Sequence, residues 1–361
     1  MRKFLSRIYR HFKNLREKQI QDRYDSKELK DAAKLVLFFI PKKQEITGGI
    51  MSIFSLCKYT REVVTDRVSI LVTLPASLTY SRNTLFPNSE NIWRIDQIVD
   101  ICNPKDLIIH IPEYAAASFV NSLSKAARRF IDKVPCVHVN ILNQNIKEML
   151  PREAWASLFS IADKVTQTVA HDRYATQEIC NKYGIPTHLF SVHLDASNWP
   201  YRTFEQKEKL IVISPDNEKL RIKLLEVIKQ GLVDYQVAVV RNLSFNQYLM
   251  LISRAFAVVS LGEGLDFYFM QCLDTGGLGF SIYNDQFFPS KEWLNLQNIY
   301  QDESSLLENF VRDIKLLEGN KGAYRHIATK AKSMVDGVYS FDKYIDNLKR
   351  FYEGDYDFTV Q

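Results

Sequence analysis

Val258-Val-Ser-Leu-Gly-Glu-Gly-Leu-Asp-Phe-Tyr-Phe-Met-Gln271 reads as a strand, a turn and a helix. The apolar run ending at Ser260 has the length and residue types of a buried strand, and a helix is predicted to start near Asp266. Between them Gly262 and Gly264 flank Glu263. A glycine-rich turn lets the backbone approach a ligand closely. The helix that follows offers unpaired N–H groups and the positive end of its dipole, which suit phosphate. Glu263 stands at the mouth of the turn, where a carboxylate can hold sugar hydroxyls. Gln271 lies about two helical turns further on.

Working outward, the same alternation recurs. Strands are predicted at 34–41, 68–73, 106–111, 136–141 and 164–170, with helical spacing at 50–64, 91–102, 115–133, 154–162 and 173–183. The last of these is closed by Gly184 and Pro186. After a polar hinge at 198–208 the pattern restarts. Strands fall at 209–214, 235–240, 257–260 and 279–283, and helices at 218–230, 245–254 and 267–275. Helices at 304–318, 323–338 and 342–352 complete the chain. Such alternation is the signature of a parallel, doubly wound α/β sheet, used here twice. The expected divisions are a basic segment 1–31, an N-terminal domain 32–200, a C-terminal domain 209–338, and a terminal helix and tail 339–361 that packs back on the N-terminal domain.

The stretch from Ser260 to Gln271 resembles the retaining GT-B glycosyltransferases that carry an E-x7-E motif. Ser260, Glu263, Gly264 and Leu265 fit the consensus, Asp266 replaces a glycine, and Gln271 replaces the second glutamate. Gly276-Gly277-Leu278-Gly279 followed by Phe280-Ser-Ile fits the turn and strand that come next in the family. The resemblance implies two Rossmann-like domains facing each other across a cleft. It also implies a nucleotide-diphospho-sugar as co-substrate, with no cofactor. Gly262, Gly264, Leu265 and Asp266 would line the donor site, Glu263 would contact the donor sugar and Gln271 the ribose. A glutamine can still hydrogen-bond a ribose hydroxyl, as a neutral group.

Weaker echoes run through the N-terminal half. Thr47-Gly48-Gly49 follows the first strand, where the family has its acceptor-side loop. Asp106-Leu-Ile-Ile-His110 resembles a family strand that brings a histidine near the reacting centre, and 168–195 resembles the stretch that ends the first domain. The family's basic loop, whose Arg and Lys neutralise the diphosphate, has no match. Lys219, Arg221, Lys223 or Arg241 can take that part. Glu113, His171 and Asp172 are lesser candidates.

The chain has 361 residues, enough for two domains, each with its own core. Its hydrophobic fraction of 46% and charged fraction of 25% are those of a globular protein. Cys57, Cys102, Cys136, Cys180 and Cys272 are scattered without a C-x-x-C pair, which argues against a disulfide framework or a structural zinc site and suits a cytoplasmic setting. No apolar run approaches the ~20 residues that span a bilayer. Metal binding is not expected: no D-x-D follows a strand, and Asp355 and Asp357 lie on a charged tail. Nucleophile elbows and Walker loops have no match either.

Charge is concentrated at one end. Residues 1–18 hold Arg2, Lys3, Arg7, Arg10, Lys13, Arg16 and Lys18 against Glu17 alone. Phe4, Leu5, Ile8, Phe12 and Leu15 form one helical stripe, so this segment suits the plane of an anionic membrane surface. The remainder is nearly neutral, which argues against a nucleic-acid partner. The expected activity is retaining transfer of a sugar to a glycan or lipid-linked acceptor, in bacterial surface polysaccharide synthesis at the inner face of the membrane. The alternatives are an inactive GT-B-like binding or scaffold subunit and a sugar-nucleotide epimerase.

Overall fold

A computed structural model describes residues 25–40, 48–74, 88–191, 193 and 196–361. The basic segment 1–18 and Thr47 lie outside the described residues. The chain divides into two compact units. One holds the described residues up to position 193 together with Phe341–Gln361, and the other runs from position 196 to Ser340.

The first unit is built on strands β1 (Lys34–Phe39), β2 (Val68–Thr73), β3 (Ile92–Arg94), β4 (Asp106–Pro112), β5 (Cys136–Asn143), β6 (Lys164–Val169) and β7 (Thr187–Leu189). They form one sheet in the order β3-β2-β1-β4-β5-β6-β7, every pair parallel. Helices α1 (Lys27–Lys30), α2 (Gly48–Val63), α3 (Ile95–Ile101), α4 (Glu113–Ala116), α5 (Phe119–Ser122), α6 (Lys125–Ile131), α7 (Arg152–Trp155) and α8 (Gln177–Tyr183) connect them. The strands are apolar on both faces because both are covered. Leu35, Leu37, Phe39, Ile109, Ile111, Val139 and Ile141 face one core with Trp155. Val36, Phe38 and Ile108 face the other, with Ile53 and Phe54 of α2. That alternation is the period of two that a strand imposes.

The second unit has strands β8 (Glu208–Ile213), β9 (Gln236–Val239), β10 (Ala255–Ser260), β11 (Leu278–Ile282) and β12 (Ile299–Tyr300). Their order is β12-β11-β10-β8-β9, again all parallel. Helices α9 (Glu218–Gly231), α10 (Phe245–Arg254), α11 (Phe267–Asp274), α12 (Glu303–Glu318) and α13 (Lys321–Val338) surround it. Ile211, Ile213, Val259 and Phe280 pack against Leu224, Phe310 and Tyr324, while Leu210, Val212 and Val258 pack against Leu249 and Ile252.

Helix α14 (Phe341–Glu353) belongs to the first unit. Its Tyr344, Leu348 and Phe351 join the core face formed by Val36, Phe38 and Ile108. The tail beyond it makes an antiparallel bridge to β7, with Thr187 N–H donating to the Phe358 carbonyl at 2.9 Å and Phe358 N–H returning the bond at 3.0 Å. Asp357 accepts from the Leu189 amide at 2.9 Å and from Arg350 at 2.8 Å, and its Oδ2 lies 3.0 Å from His188 Nδ1. Asp355 also pairs with Arg350, at 2.7 Å. These two carboxylates fasten the tail.

Four predicted helices differ from the observed structure: that at 154–162 is α7 followed by a 3-10 turn, Ala156–Ser160, and that at 173–183 opens with a 3-10 turn, Asp172–Tyr174, before α8. The single helix expected at 115–133 is three short ones, α4, α5 and α6. Ser118 Oγ donates to the Ala115 carbonyl, and Ser124 Oγ caps α6 at Ala127 N–H, 3.1 Å away, while donating to Asp96. Serine hydroxyls compete with the helix for backbone partners, and here they win. The helical spacing at 91–102 begins as β3, where Ile92 and Trp93 are buried. α3 starts only after Gln97 Oε1 accepts from the Arg94 amide at 3.0 Å.

Candidate functional site

In an open parallel sheet a ligand binds beyond the carboxyl ends of the strands, where the strand order reverses. The second sheet reverses between β8 and β10. Two loops leave there, residues 214–217 and residues 261–266. Ser214, fully buried, joins them: its Oγ accepts from the Leu261 amide at 3.0 Å, and its own amide donates to the Val259 carbonyl at 2.9 Å.

Glycine is required at position 264. Gly264 has φ +89°, and a Cβ there would lie 2.6 Å from the Ile282 carbonyl oxygen and 2.8 Å from the Phe288 ring. Gly262 is exposed and passes Asp216, whose Oδ2 would be 3.1 Å from an added Cβ. Glu263 is half-buried between them. The turn therefore places Glu263 at the switch point of the sheet.

The remaining candidates of this loop are placed differently from the expectation. Leu265, 1% exposed, is a core residue packed with Phe269, Phe288 and Trp293. Gln271, 3% exposed, falls among the buried residues of α11 beside Cys272 and Leu273. Asp266 is the N-cap of α11: it accepts from the Phe269 amide at 3.2 Å and from the Ser260 hydroxyl. Desolvation pushes its carboxyl up to about 6, with Asp216 adding to the effect and the Ser260 and Phe269 bonds opposing it. The amides expected to meet phosphate thus already hold an internal carboxylate.

Of the basic candidates, Lys219 is exposed in the first turn of α9 and Arg241 is exposed just beyond β9. β9 neighbours β8, so Arg241 stands two strands from β10, about 10 Å in the sheet plane. Lys223 is exposed on α9. Arg221 is committed elsewhere. It is 4% exposed, and its Nη1 donates to the Pro215 and Asp216 carbonyls, bracing the 214–217 loop.

The first sheet reverses between β1 and β4. Gly48 and Gly49, which open α2, follow β1, and Glu113, which opens α4, follows β4. Gln144 ties them together: its Nε2 donates to the Gly49 carbonyl at 3.1 Å, and its amide donates to Glu113 Oε2 at 3.3 Å. Glu113 is 3% exposed, and desolvation pushes its carboxyl up to about 7 against hydrogen bonds from the Glu113, Gln144 and Asn145 backbone. The sequence signal for it was a glutamate directly after a buried strand, with nothing to show how fully it would be enclosed. His171 and Asp172 open the short turn after β6.

A carboxyl raised in the folded state stabilises the fold only at low pH. Glu113 should hold its full contribution below about 4.3 and lose it as pH rises through about 7. Glu113→Gln should therefore raise stability by up to about 3–4 kcal/mol at pH 8 and leave it unchanged near pH 4. Urea titrations at the two pH values check this, and an equal effect at both would sink it.

His110 does not face a site. It is fully buried, with Nε2 2.8 Å from the Tyr352 hydroxyl of α14 and Nδ1 3.0 Å from Asn140 Nδ2. Its ring stacks on Phe38 with centroids 4.5 Å apart, and burial holds it neutral, well below its usual pKa. The expectation that it meets the reacting centre is corrected by α14, which covers this part of the sheet. Among the described residues no group of three His, Cys, Asp or Glu side chains is placed to hold a metal ion. None of their helices is long and apolar enough to cross a membrane.

No sequence profile of a known family matches the chain, and no curated protein is significantly similar to it in sequence. Solved structures are similar in fold. Anabaena HepE, in complex with UDP and glucose, superposes with a TM-score of 0.53 over 89% of this chain and 100% of its own, at 8% identity. Sucrose-phosphate synthase from Thermosynechococcus elongatus gives 0.52 over 89% and 98%, also at 8% identity. A structure from Listeria monocytogenes that bears the name of a UDP-N-acetylglucosamine 2-epimerase gives 0.51 over 90% and 97%, at 10% identity. The chain has the GT-B fold. It spans 55% of the length of Staphylococcus aureus TarM, at 15% identity and a TM-score of 0.46 over 69% of its own length. At these identities the likeness is one of fold, and GT-B sheets carry more than one reaction. Any assignment within GT-B must come from the site.

Proposed function

We propose that this chain is a glycosyltransferase that moves a sugar from a nucleotide-diphospho-sugar to a glycan or lipid-linked acceptor. The observation that carries the reading is Glu263, presented by a turn that admits only glycine at 264, at the switch point of the second sheet. That carboxylate can accept from two sugar hydroxyls at once. The HepE complex with UDP and glucose on the same fold supports a donor of this class. Lys219, in the first turn of α9, and Arg241, just beyond β9, are exposed cations that would take the charge that develops on the leaving diphosphate. On the first unit, Gly48, Gly49 and Glu113 meet at the equivalent position and would hold the acceptor. Retention of anomeric configuration, metal-independent transfer and a role in surface polysaccharide synthesis complete the proposal. The basic stripe of residues 1–18 would hold the protein on anionic lipid at the inner face of the membrane.

A second reading, a binding or scaffold subunit without transfer, draws on one observation. Asp216 and Asp266 place carboxylates where a diphosphate would lie.

Thermal stability measured against a panel of nucleotide sugars separates these readings. A donor at about 100 times its dissociation constant should add about 2.7 kcal/mol. Glu263→Ala should reduce transfer about 100-fold, and the free nucleoside diphosphate should still bind. NMR of the product anomer tests retention. No response to any nucleotide sugar would favour the scaffold. Release of an epimerised nucleotide sugar without acceptor would replace transfer by epimerisation.

A further inference from the structure

Asp266 does two things at once. It caps α11 through the Phe269 amide at 3.2 Å, and it accepts the Ser260 hydroxyl from the end of β10. Both contacts hold the carboxylate over the amides that the sugar nucleotide of the proposed function would otherwise find open. The groups that face this carboxylate are themselves acidic or neutral. Asp216 reaches toward the same turn from the loop after β8, its Oδ2 3.1 Å from where a Gly262 Cβ would stand. Tyr268 of α11 and Tyr248 of α10 also face this carboxylate, and both stay neutral because burial raises their phenols. Arg221, on the helix behind the loop, spends its guanidinium on carbonyls.

We propose that Asp266 is a built-in competitor for the donor's diphosphate, so that the second unit takes a sugar nucleotide well only when this carboxylate carries a proton. The inference rests on the donor-site reading of the second unit and adds its regulation. A diphosphate seated at the start of α11 would meet the carboxylate at contact distance, where two like charges repel. Protonation removes the repulsion and lets the side chain release the Phe269 amide. Donor binding in turn favours the protonated form, so affinity and proton uptake are linked. A carboxyl already raised to about 6 by desolvation titrates within the range where such linkage is felt.

The test is isothermal titration calorimetry of the full chain with UDP-glucose, UDP-N-acetylglucosamine and GDP-mannose between pH 5 and pH 8. These diphosphate diesters keep a constant charge over that range, so a pH dependence belongs to the protein. Wild type should bind more tightly as pH falls, approaching tenfold per unit above the carboxyl's own pKa. Asp266→Asn keeps an N-cap and removes the charge. It should bind at least about tenfold more tightly at pH 8, with a flat pH profile. Asp266→Gly frees the amides as well and should do no worse. Variants that bind no more tightly than wild type, or that keep its pH slope, overturn the inference and leave the donor site standing. If neither wild type nor variant binds any of the three at any pH, the donor-site reading fails and the inference with it.

Discussion

Gly264→Ala is expected to destabilise the second unit by about 2–5 kcal/mol and to abolish nucleotide-sugar binding. The backbone at Gly264 has φ +89°, a region that costs an L-residue roughly 1–2 kcal/mol. The new methyl would also stand 2.6 Å from the Ile282 carbonyl oxygen, 2.8 Å from Phe288 Cε2 and 2.9 Å from Ser281 Oγ. Ile282 and Ser281 belong to β11, and Phe288 is fully buried, so none can retreat cheaply. Overpacking of that kind typically costs about 1–3 kcal/mol more. Relief requires the turn to move, and the turn carries Glu263. Gly337→Ala is the internal control: nothing lies within 4 Å of its added Cβ, and in the last turn of α13 alanine should be neutral or gain up to about 0.5 kcal/mol. Urea unfolding of the two variants checks both signs, and a Gly264→Ala protein that matches wild type would show that the turn is not constrained as described.

Phe351→Ala should cost about 3–5 kcal/mol in the first unit. The ring is 1% exposed and lies between α14 and the sheet. Its centroid is 4.8 Å from that of Phe190, 5.5 Å from that of His110 and 5.5 Å from that of His138, on which it stacks. Truncation opens a cavity beside two histidines that burial holds neutral, His138 at about 3. A histidine with a depressed folded pKa costs stability as pH falls below its unfolded value of about 6.5, by about 1.4 kcal/mol per unit, until it too is protonated. Water entering the cavity should raise both values and flatten that slope. The variant should thus be weaker at pH 7 yet less sensitive to acid. Its α14, which contains Lys349 and Arg350, should be cut by trypsin where wild type resists. Unchanged resistance together with an unchanged melting temperature would show that Phe351 does not pin the helix.

Several strands were legible because burial on both faces writes a continuous apolar run, as in Leu35–Phe39 and Ala255–Val259. The glycine turn was legible for a related reason: glycines flanking an acid between a strand and a helix point to a constrained turn, and at Gly264 the positive φ and the Ile282 carbonyl supply the constraint. What escaped depends on contacts far away in sequence. His110 has the same surroundings in sequence whether it faces a ligand or a core, and α14, some 240 residues later, settles the matter. Asp266 at the start of a helix reads equally as a ligand-side acid or a cap, and the position of Ser260 and the Phe269 amide decides for the cap. The breaks at Ser118 and Ser124 were visible as residues and invisible as breaks, since a serine interrupts a helix only where its hydroxyl has a better partner.

The return of α14 to the first unit also has a bearing on biosynthesis. The sheet face lined by Val36, Phe38, Ile108 and Phe190 is finished only by side chains from Tyr344 to Phe351. A ribosome adding about 5–20 residues per second needs roughly 7–30 s to make the intervening second unit. During that interval the nascent first unit carries an uncovered apolar groove, while the second unit, continuous in sequence, can close as soon as it emerges. The later-made unit should therefore be the earlier to reach its native state, and the waiting groove is the surface on which a chaperone would act.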